Sequence, residues 1–213
     1  MVSAFPRVRS PGPFKFVGPG PNISSNTSYY HLVRHCASTG LAIGEATAAL
    51  VFKTYHQAHS GKIALARVLA GQVADGQTLS GQRIGALLRP KGGSYDKITT
   101  AAAGDVVGLG RMDHLQTGHV LTASGKTPAG FKWPEPLPPL YALAVDAENR
   151  NDEVKLTAAL AKLAEEDPSL RFGHDPDTHE LLLQGQGDIH LQIALERLRL
   201  RFNLPVKSRR PQV

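Results

Sequence analysis

The chain has 213 residues, 41 % of them hydrophobic and 20 % charged, and carries a net charge of +6. That composition excludes wholesale disorder and leaves enough apolar surface for one large domain or two small ones, and no run of about 18 apolar residues exists to cross a membrane as a helix. A single cysteine, Cys36, excludes an internal disulfide and a four-cysteine metal site, so the expected compartment is the cytoplasm.

Residues 1–45 read as a poorly ordered leader. Pro6, Pro11, Pro13, Pro19 and Pro21 alternate with Gly12, Gly18 and Gly20, which removes backbone donors and adds chain entropy. From residue 46 the texture changes to short β-branched runs separated by glycine. Strands are predicted at 49–54, 62–69, near Thr78–Leu79, and at 83–89, 95–99, 105–109 and 120–122. Short strands at this spacing with glycine turns predict a small β-barrel over residues 46–125, a fold that removes exposed sheet edges by closing on itself. Residues 126–138 form a proline-rich, stiff linker, in which Phe131 and Trp133 are expected to pin the chain against a domain face.

Over residues 139–213 the period changes again. A strand at 140–145 precedes a helix with Asn151 as its expected N-cap and a stripe of Leu156, Ala159, Leu160 and Leu163. Pro168 ends that helix, because the residue before a proline avoids the α region. Segments 170–174 and 179–183 read as a hairpin. Leu191, Ala194, Leu195, Leu198 and Phe202 make a second helical stripe, and 204–208 a last strand. The order β-α-β-β-α-β predicts a ferredoxin-like sandwich, so the chain as a whole is of mixed β and α/β class.

Charge is unevenly spread. Residues 1–46 carry four Lys/Arg against one acid, residues 47–138 ten against five, and residues 139–213 ten against twelve. The basic excess in the first two thirds suits a polyanionic partner.

Several chemistries are missing. Gly125-Lys126-Thr127 supplies the end of a G-x-x-x-x-G-K-[ST] phosphate loop, but position 120 is Val120 where the first glycine should stand. Gly185-Gln186-Gly187 lacks the third glycine of a dinucleotide fingerprint, and no G-x-S-x-G elbow is present. His179-Glu180 runs into leucines and so lacks a second metal-binding histidine one helical turn on. His174, Asp175, Asp177 and His179 read as a polar hairpin tip rather than an oxygen/nitrogen metal site. Glu165, Glu166 and Asp167 read as a solvated helix end. No catalytic residue and no metal site are expected.

Two segments carry a resemblance. Glu166-Asp-Pro-Ser-Leu-Arg171, followed by Gly185-Gln-Gly-Asp-Ile-His-Leu-Gln192, resembles the central signature of the translation elongation factor G family, which typically shows an acidic-Asp-Pro-Ser run and then Gly-Met-Gly-Glu-Leu-His-Leu-Glu. Val51-Phe-Lys53, Gly61-Lys-Ile, Ala66-Arg-Val-Leu-Ala-Gly71, Gly76, Ala103-Gly-Asp-Val106 and Thr117-Gly118 are similar to that family's second domain, a translation-factor β-barrel. The likeness runs collinearly over about residues 47–213. The departures are Gln186 for the usual methionine, Asp188 for glutamate, and His119 where an aspartate is common.

The resemblance implies that the chain is the middle of a translational GTPase, with the GTPase and C-terminal domains absent from it. GTP and Mg would then belong to the GTPase domain, and this chain would need no cofactor and perform no catalysis. The implied partners are the ribosome, through small-subunit rRNA and a ribosomal protein, and the GTPase domain of the parent factor, with neither a membrane nor DNA. Lys62, Arg67, Arg83, Arg89, Lys91 and Lys97 become candidate phosphate contacts on the barrel. Arg197 and Arg201, spaced i,i+4, become a basic stripe facing rRNA or a ribosomal protein. Aromatic residues do not interleave with this basic set, so shape and backbone rather than stacking would be recognised. Within the signature, Asp167 and Pro168 follow the first helix. Gly185 and Gly187 are expected to permit a tight strand-to-helix turn, Asp188 to complement the helix N-terminus, and His190 to pack or hydrogen-bond within the domain. A free-standing RNA- or ribosome-binding module, or a truncated product without a role, are the alternatives.

Overall fold

The computed structural model describes residues 47–57, 61–92, 94–127, 131 and 133–212. The expected leader 1–45, with His31, His35 and Cys36, lies outside the described residues.

Six strands of the β-rich half are β1 (Ala48–Gln57), β2 (Gly61–Ala70), β6 (Ala86–Lys91), β7 (Ser94–Lys97), β9 (Val106–Gly110) and β10 (Val120–Thr122). They form one antiparallel sheet in the order β10-β1-β2-β9-β6-β7. Two short ribbons share the core of this sheet. One pairs β3 (Gln72–Ala74) with β8 (Thr100–Ala102), and the other pairs β4 (Thr78–Leu79) with β5 (Gln82–Arg83). Val51, Ala64, Val68, Val73, Leu79, Leu87, Leu109 and Leu121 meet in one buried cluster, so sheet and ribbons wrap a common interior as a barrel. The predicted strand 83–89 is broken at Gly85. A side chain there would stand 2.7 Å from the Arg111 Cβ, so the backbones pass too closely for any other residue. The ribbon strand β3 has no counterpart among the predicted strands, because three residues cannot display a period.

Phe131 and Trp133 pack on a small cluster around Leu50 and Val120, which pins the linker to the barrel as the aromatic residues suggest. Gly118 accommodates that packing. Its φ is +94°, and a Cβ would lie 2.7 Å from the Trp133 Cγ.

The strands of the second half are β11 (Tyr141–Ala147), β12 (Arg171–His174), β13 (Leu181–Gly185) and β14 (Val206–Arg209). Their order is β12-β13-β11-β14, with every neighbouring pair antiparallel. Helices α1 (Glu153–Glu166) and α2 (Asp188–Phe202) cover one face. Leu156, Leu160 and Leu163 of α1 and Leu191, Ala194 and Leu198 of α2 bury against Leu143, Val145 and Leu183. This is the predicted ferredoxin-like sandwich, and both helical stripes point into its core.

Two details differ from the expectation. Asn151 is not the cap of α1. A 3₁₀ turn, Arg150–Asp152, precedes the helix, and Asn149 caps that turn by accepting the Asn151 N–H at 3.1 Å. The last strand begins at Val206 rather than Leu204, because Leu204 is spent closing α2, its N–H donating to the Leu198 carbonyl at 3.1 Å. Among the described residues, no helix is long and apolar enough to cross a membrane.

Candidate nucleic-acid interface

Four of the candidate basic residues fall on three strands that follow one another in the chain, β5 of the small ribbon and β6 and β7 at one end of the barrel sheet. Arg83 ends β5, Arg89 and Lys91 lie on β6, and Lys97 ends β7. Register puts Arg89 and Lys91, opposite Asp96 and Ser94, on one face of the β6–β7 hairpin, and Lys97, opposite Leu88, on the other. All four side chains are exposed. Lys97 lies 3.3 Å from Asp75 and Lys91 3.9 Å from Asp96, both at the surface, where such pairs contribute little and exchange readily for another anion. Among the described residues, no ion pair or hydrogen bond holds the guanidinium of Arg83 or Arg89. Arg67 stands apart, half-buried on β2 opposite Val106.

Lys62 leaves the set. It is 5 % exposed, and its ammonium donates to the Asp113 carbonyl at 2.8 Å and to Glu165 Oε2 at 2.9 Å. Arg201 is likewise not an outward stripe. Its guanidinium forks onto Glu166, with Nη1 to Oε2 at 2.7 Å and Nη2 to Oε1 at 2.8 Å, and Nη2 also donates to the His56 carbonyl at 2.6 Å. That fork holds the guanidinium even more firmly protonated than usual. Arg197, one turn earlier, is half-buried on the same side and adds to the field at Lys53 and Tyr55 of β1.

These bonds form a joint between the halves that sequence reasoning missed. The expected solvated end, Glu165-Glu166-Asp167, is its centre. Glu166 is 2 % exposed and also accepts the His56 N–H at 2.7 Å. The Glu165 carbonyl accepts from the buried Thr54 hydroxyl at 2.8 Å. The Glu165 carboxylate is shared by Lys62 and the His56 imidazole, each at 2.9 Å. Burial pushes the Glu165 carboxyl up, but the bonds from Lys62 and His56 and their charges outweigh it, and the group sits below its ordinary range. One signal is present in the sequence. Two carboxylates in the last turn of a helix with no basic residue there oppose the helix dipole, an arrangement that calls for cations from elsewhere.

The two signature segments meet at His190. The Gln186 N–H donates to its Nδ1 at 3.1 Å, so that nitrogen carries no proton, and Nε2–H is left to donate to Asp167 Oδ2 at 3.2 Å. Asp167 Oδ1 accepts from the Ser169 N–H at 3.1 Å and the Ser169 hydroxyl at 2.5 Å. Burial pushes this carboxyl up, yet the Ser169 bonds, the Lys53 charge and His190 together hold it below its usual range. Asp167 leaves α1 with extended φ and ψ, as Pro168 requires. Gly185 is needed for closeness rather than for turn freedom: a Cβ there would lie 2.7 Å from the Leu191 Cδ2. Gly187 is extended and opens onto free space, so the expected glycine-dependent turn is not what these residues make. Asp188 sits in the first turn of α2, where its charge suits the dipole, and accepts from the Gln192 amide at 2.8 Å.

Gly125-Lys126-Thr127 does not fit a phosphate. Gly125 has φ +76°, the Lys126 carbonyl accepts from the Thr122 hydroxyl at 3.0 Å, and Lys126 and Thr127 are not helical. Among the described residues, no three or more His, Cys, Asp or Glu side chains gather as metal ligands do. At the hairpin tip, Asp175 Oδ1 accepts the N–H groups of Asp177 and Thr178 at 2.9 and 3.0 Å.

A barrel, a pinned linker and a ferredoxin-like sandwich in this order match known proteins. The family profile described as elongation factor G domain 2 matches residues 46–124, and that of elongation factor G, domain III, matches residues 136–210. The chain belongs to the elongation factor G family. An elongation factor G-like protein of Synechocystis sp. is 45 % identical over 165 residues, 78 % of this chain and 24 % of its own. Elongation factor G 2 of Streptomyces coelicolor is 36 % identical over 78 % of this chain and 25 % of its own, and elongation factor G of Neorickettsia sennetsu 31 % identical over 77 % and 24 %. A crystal structure of a Thermus thermophilus protein superposes with a TM-score of 0.73 at 31 % identity, covering 88 % of this chain and 29 % of that one. The chain therefore spans about a quarter of the length of the curated relatives it matches. Its Gln186, one of the departures from the family signature, uses its side-chain amide to donate to the Leu137 and Pro138 carbonyls at 3.0 and 3.1 Å, fastening the linker to the second domain.

Proposed function

We propose that this chain is the ribosome-associated middle segment of an elongation-factor-G-like translational GTPase, which contacts small-subunit rRNA with its barrel, relays the nucleotide state of the parent's GTPase domain, and performs no catalysis itself. The observation that carries the reading is the set of exposed cations on a barrel matched by the elongation factor G domain 2 profile: Arg89 and Lys91 on one face of the β6–β7 hairpin, Lys97 on its other face, and Arg83 on the β4–β5 ribbon. Phosphates would exchange for the surface carboxylates and counterions around these side chains, which would read RNA backbone rather than bases. The joint at Glu165 and Glu166 supports the relay, since a displacement of the ferredoxin-like domain would reach the barrel through hydrogen bonds and not through a slack linker. GTP and Mg fall to the parent's GTPase domain in this reading, and the cytoplasm is the compartment it requires.

The test is pelleting of the full chain with isolated small and large ribosomal subunits, alongside calorimetric titration with GTP and Mg. Pelleting with the small subunit and a flat GTP titration are expected. Micromolar GTP affinity, or no pelleting with either subunit at low salt, would overturn the reading.

A further inference from the structure

Among the described residues, strand β1 has a neighbouring strand on both edges only at its start. Ala48, Ala49 and Leu50 face β10, whereas Lys53–Gln57 face β2 alone. At His56, on that open edge, both backbone groups are nevertheless taken, and side chains of the other domain take them. The N–H donates to Glu166 at 2.7 Å, the carbonyl accepts from Arg201 at 2.6 Å, and Glu166 and Arg201 fork onto each other. A carboxylate and a guanidinium thus stand where a neighbouring strand would present its own acceptor and donor.

We propose that the Glu166–Arg201 pair is a releasable latch: it completes the open edge of β1, holds barrel and sandwich as one rigid body, and frees them to move separately when it is broken. Beside the bonds of Thr54, His56 and Lys62 to Glu165, no buried apolar packing among the described residues holds them. Each buried apolar cluster among the described residues is confined to one domain or to the barrel and linker, and none spans the joint. An inter-domain interface without a large apolar area lets its domains move apart once its polar bonds are broken. The linker is tethered at both ends, by Trp133 on the barrel and by Gln186 on Leu137 and Pro138, so the pivot lies between Trp133 and Leu137. Lys62, His56 and Glu165 flank the latch and add a second bond set beside it. The latch stands on the joint alone and does not depend on the ribosomal reading.

Backbone nitrogen-15 relaxation on the full chain reads it directly. In the unaltered protein, amides of both domains should report one shared rotational correlation time. Glu166→Gln should split it into two shorter times while the core amide shifts of Leu109 and Leu183 stay in place. Arg201→Lys, which cannot reach Glu166 and the His56 carbonyl together, should give a smaller split, and it decides the matter should Glu166→Gln fail to fold. Glu166→Arg combined with Arg201→Glu should not restore the shared time, because it sets a donor against the His56 N–H. Separate tumbling in the unaltered protein, a shared time retained in folded Glu166→Gln and Arg201→Lys, or restoration by the swapped pair would each overturn the latch.

Discussion

At His190 one imidazole joins two turns, because the Gln186 N–H needs an acceptor and Asp167 a donor, and the ring supplies one of each. His190→Phe keeps the bulk and loses both bonds, leaving the half-buried Gln186 N–H unpaired and the Asp167 carboxylate with its Ser169 bonds alone. The expected cost is about 1–3 kcal/mol of unfolding free energy for the ferredoxin-like domain, read from its urea midpoint. Acid acts on the same site. The folded Asp167 carboxyl lies below its ordinary value of 3.8, so its contribution is complete above that value and is lost as pH falls through the lower folded one. Glu165 behaves in the same way from its ordinary 4.5. Stability should therefore be steady near neutrality and fall in acid below about pH 4.5, and Asp167→Asn should flatten the lower part of that fall. At Gly118 the argument is steric. With φ at +94° and Trp133 at 2.7 Å from a would-be Cβ, Gly118→Ala should cost about 1–3 kcal/mol in the barrel, measured by thermal unfolding.

Among the elements, α1 and α2 are legible in the sequence because each buries one stripe, and burial at a period of 3.6 leaves its mark there. The order of strands and helices in the second domain follows from those stripes and from Pro168. The short ribbon strand β3 and the break at Gly85 are not legible, since they depend on which backbone passes close by. The joint is hidden for the same reason. Arg201 lies 35 positions from Glu166 and 145 from His56, so its spacing from Arg197 suggests an outward stripe while its true partner stands on another element. Lys62 misleads likewise, its partner Glu165 being 103 positions away. For the candidate rRNA contacts, position along the chain shows the charge, but only the strand register shows that Arg89, Lys91 and Lys97 share one hairpin. At the link between elements, Gln186→Met would restore the residue usual in the family signature and remove the amide bonds to Leu137 and Pro138. Faster hydrogen exchange at Leu140, whose N–H bonds to the Gly185 carbonyl, is the expected outcome, with a loss of about 0.5–1.5 kcal/mol per bond removed.

For the whole molecule, two separate cores are tied by a polar joint, and the basic edge of the barrel lies on strands that do not take part in that tie. Binding of a polyanion and coupling between domains therefore depend on different residues and can be altered one at a time. The most direct measurement is the salt dependence of binding to the small ribosomal subunit, for the full chain and for Arg83→Glu, Arg89→Glu, Lys91→Glu combined. The unaltered chain should bind with an affinity that falls steeply as salt rises. The altered chain should bind more weakly, with a slope of log affinity against log salt shallower by about one for each phosphate no longer engaged. Equal affinity and slope for the two chains would contradict the assignment of this edge to rRNA.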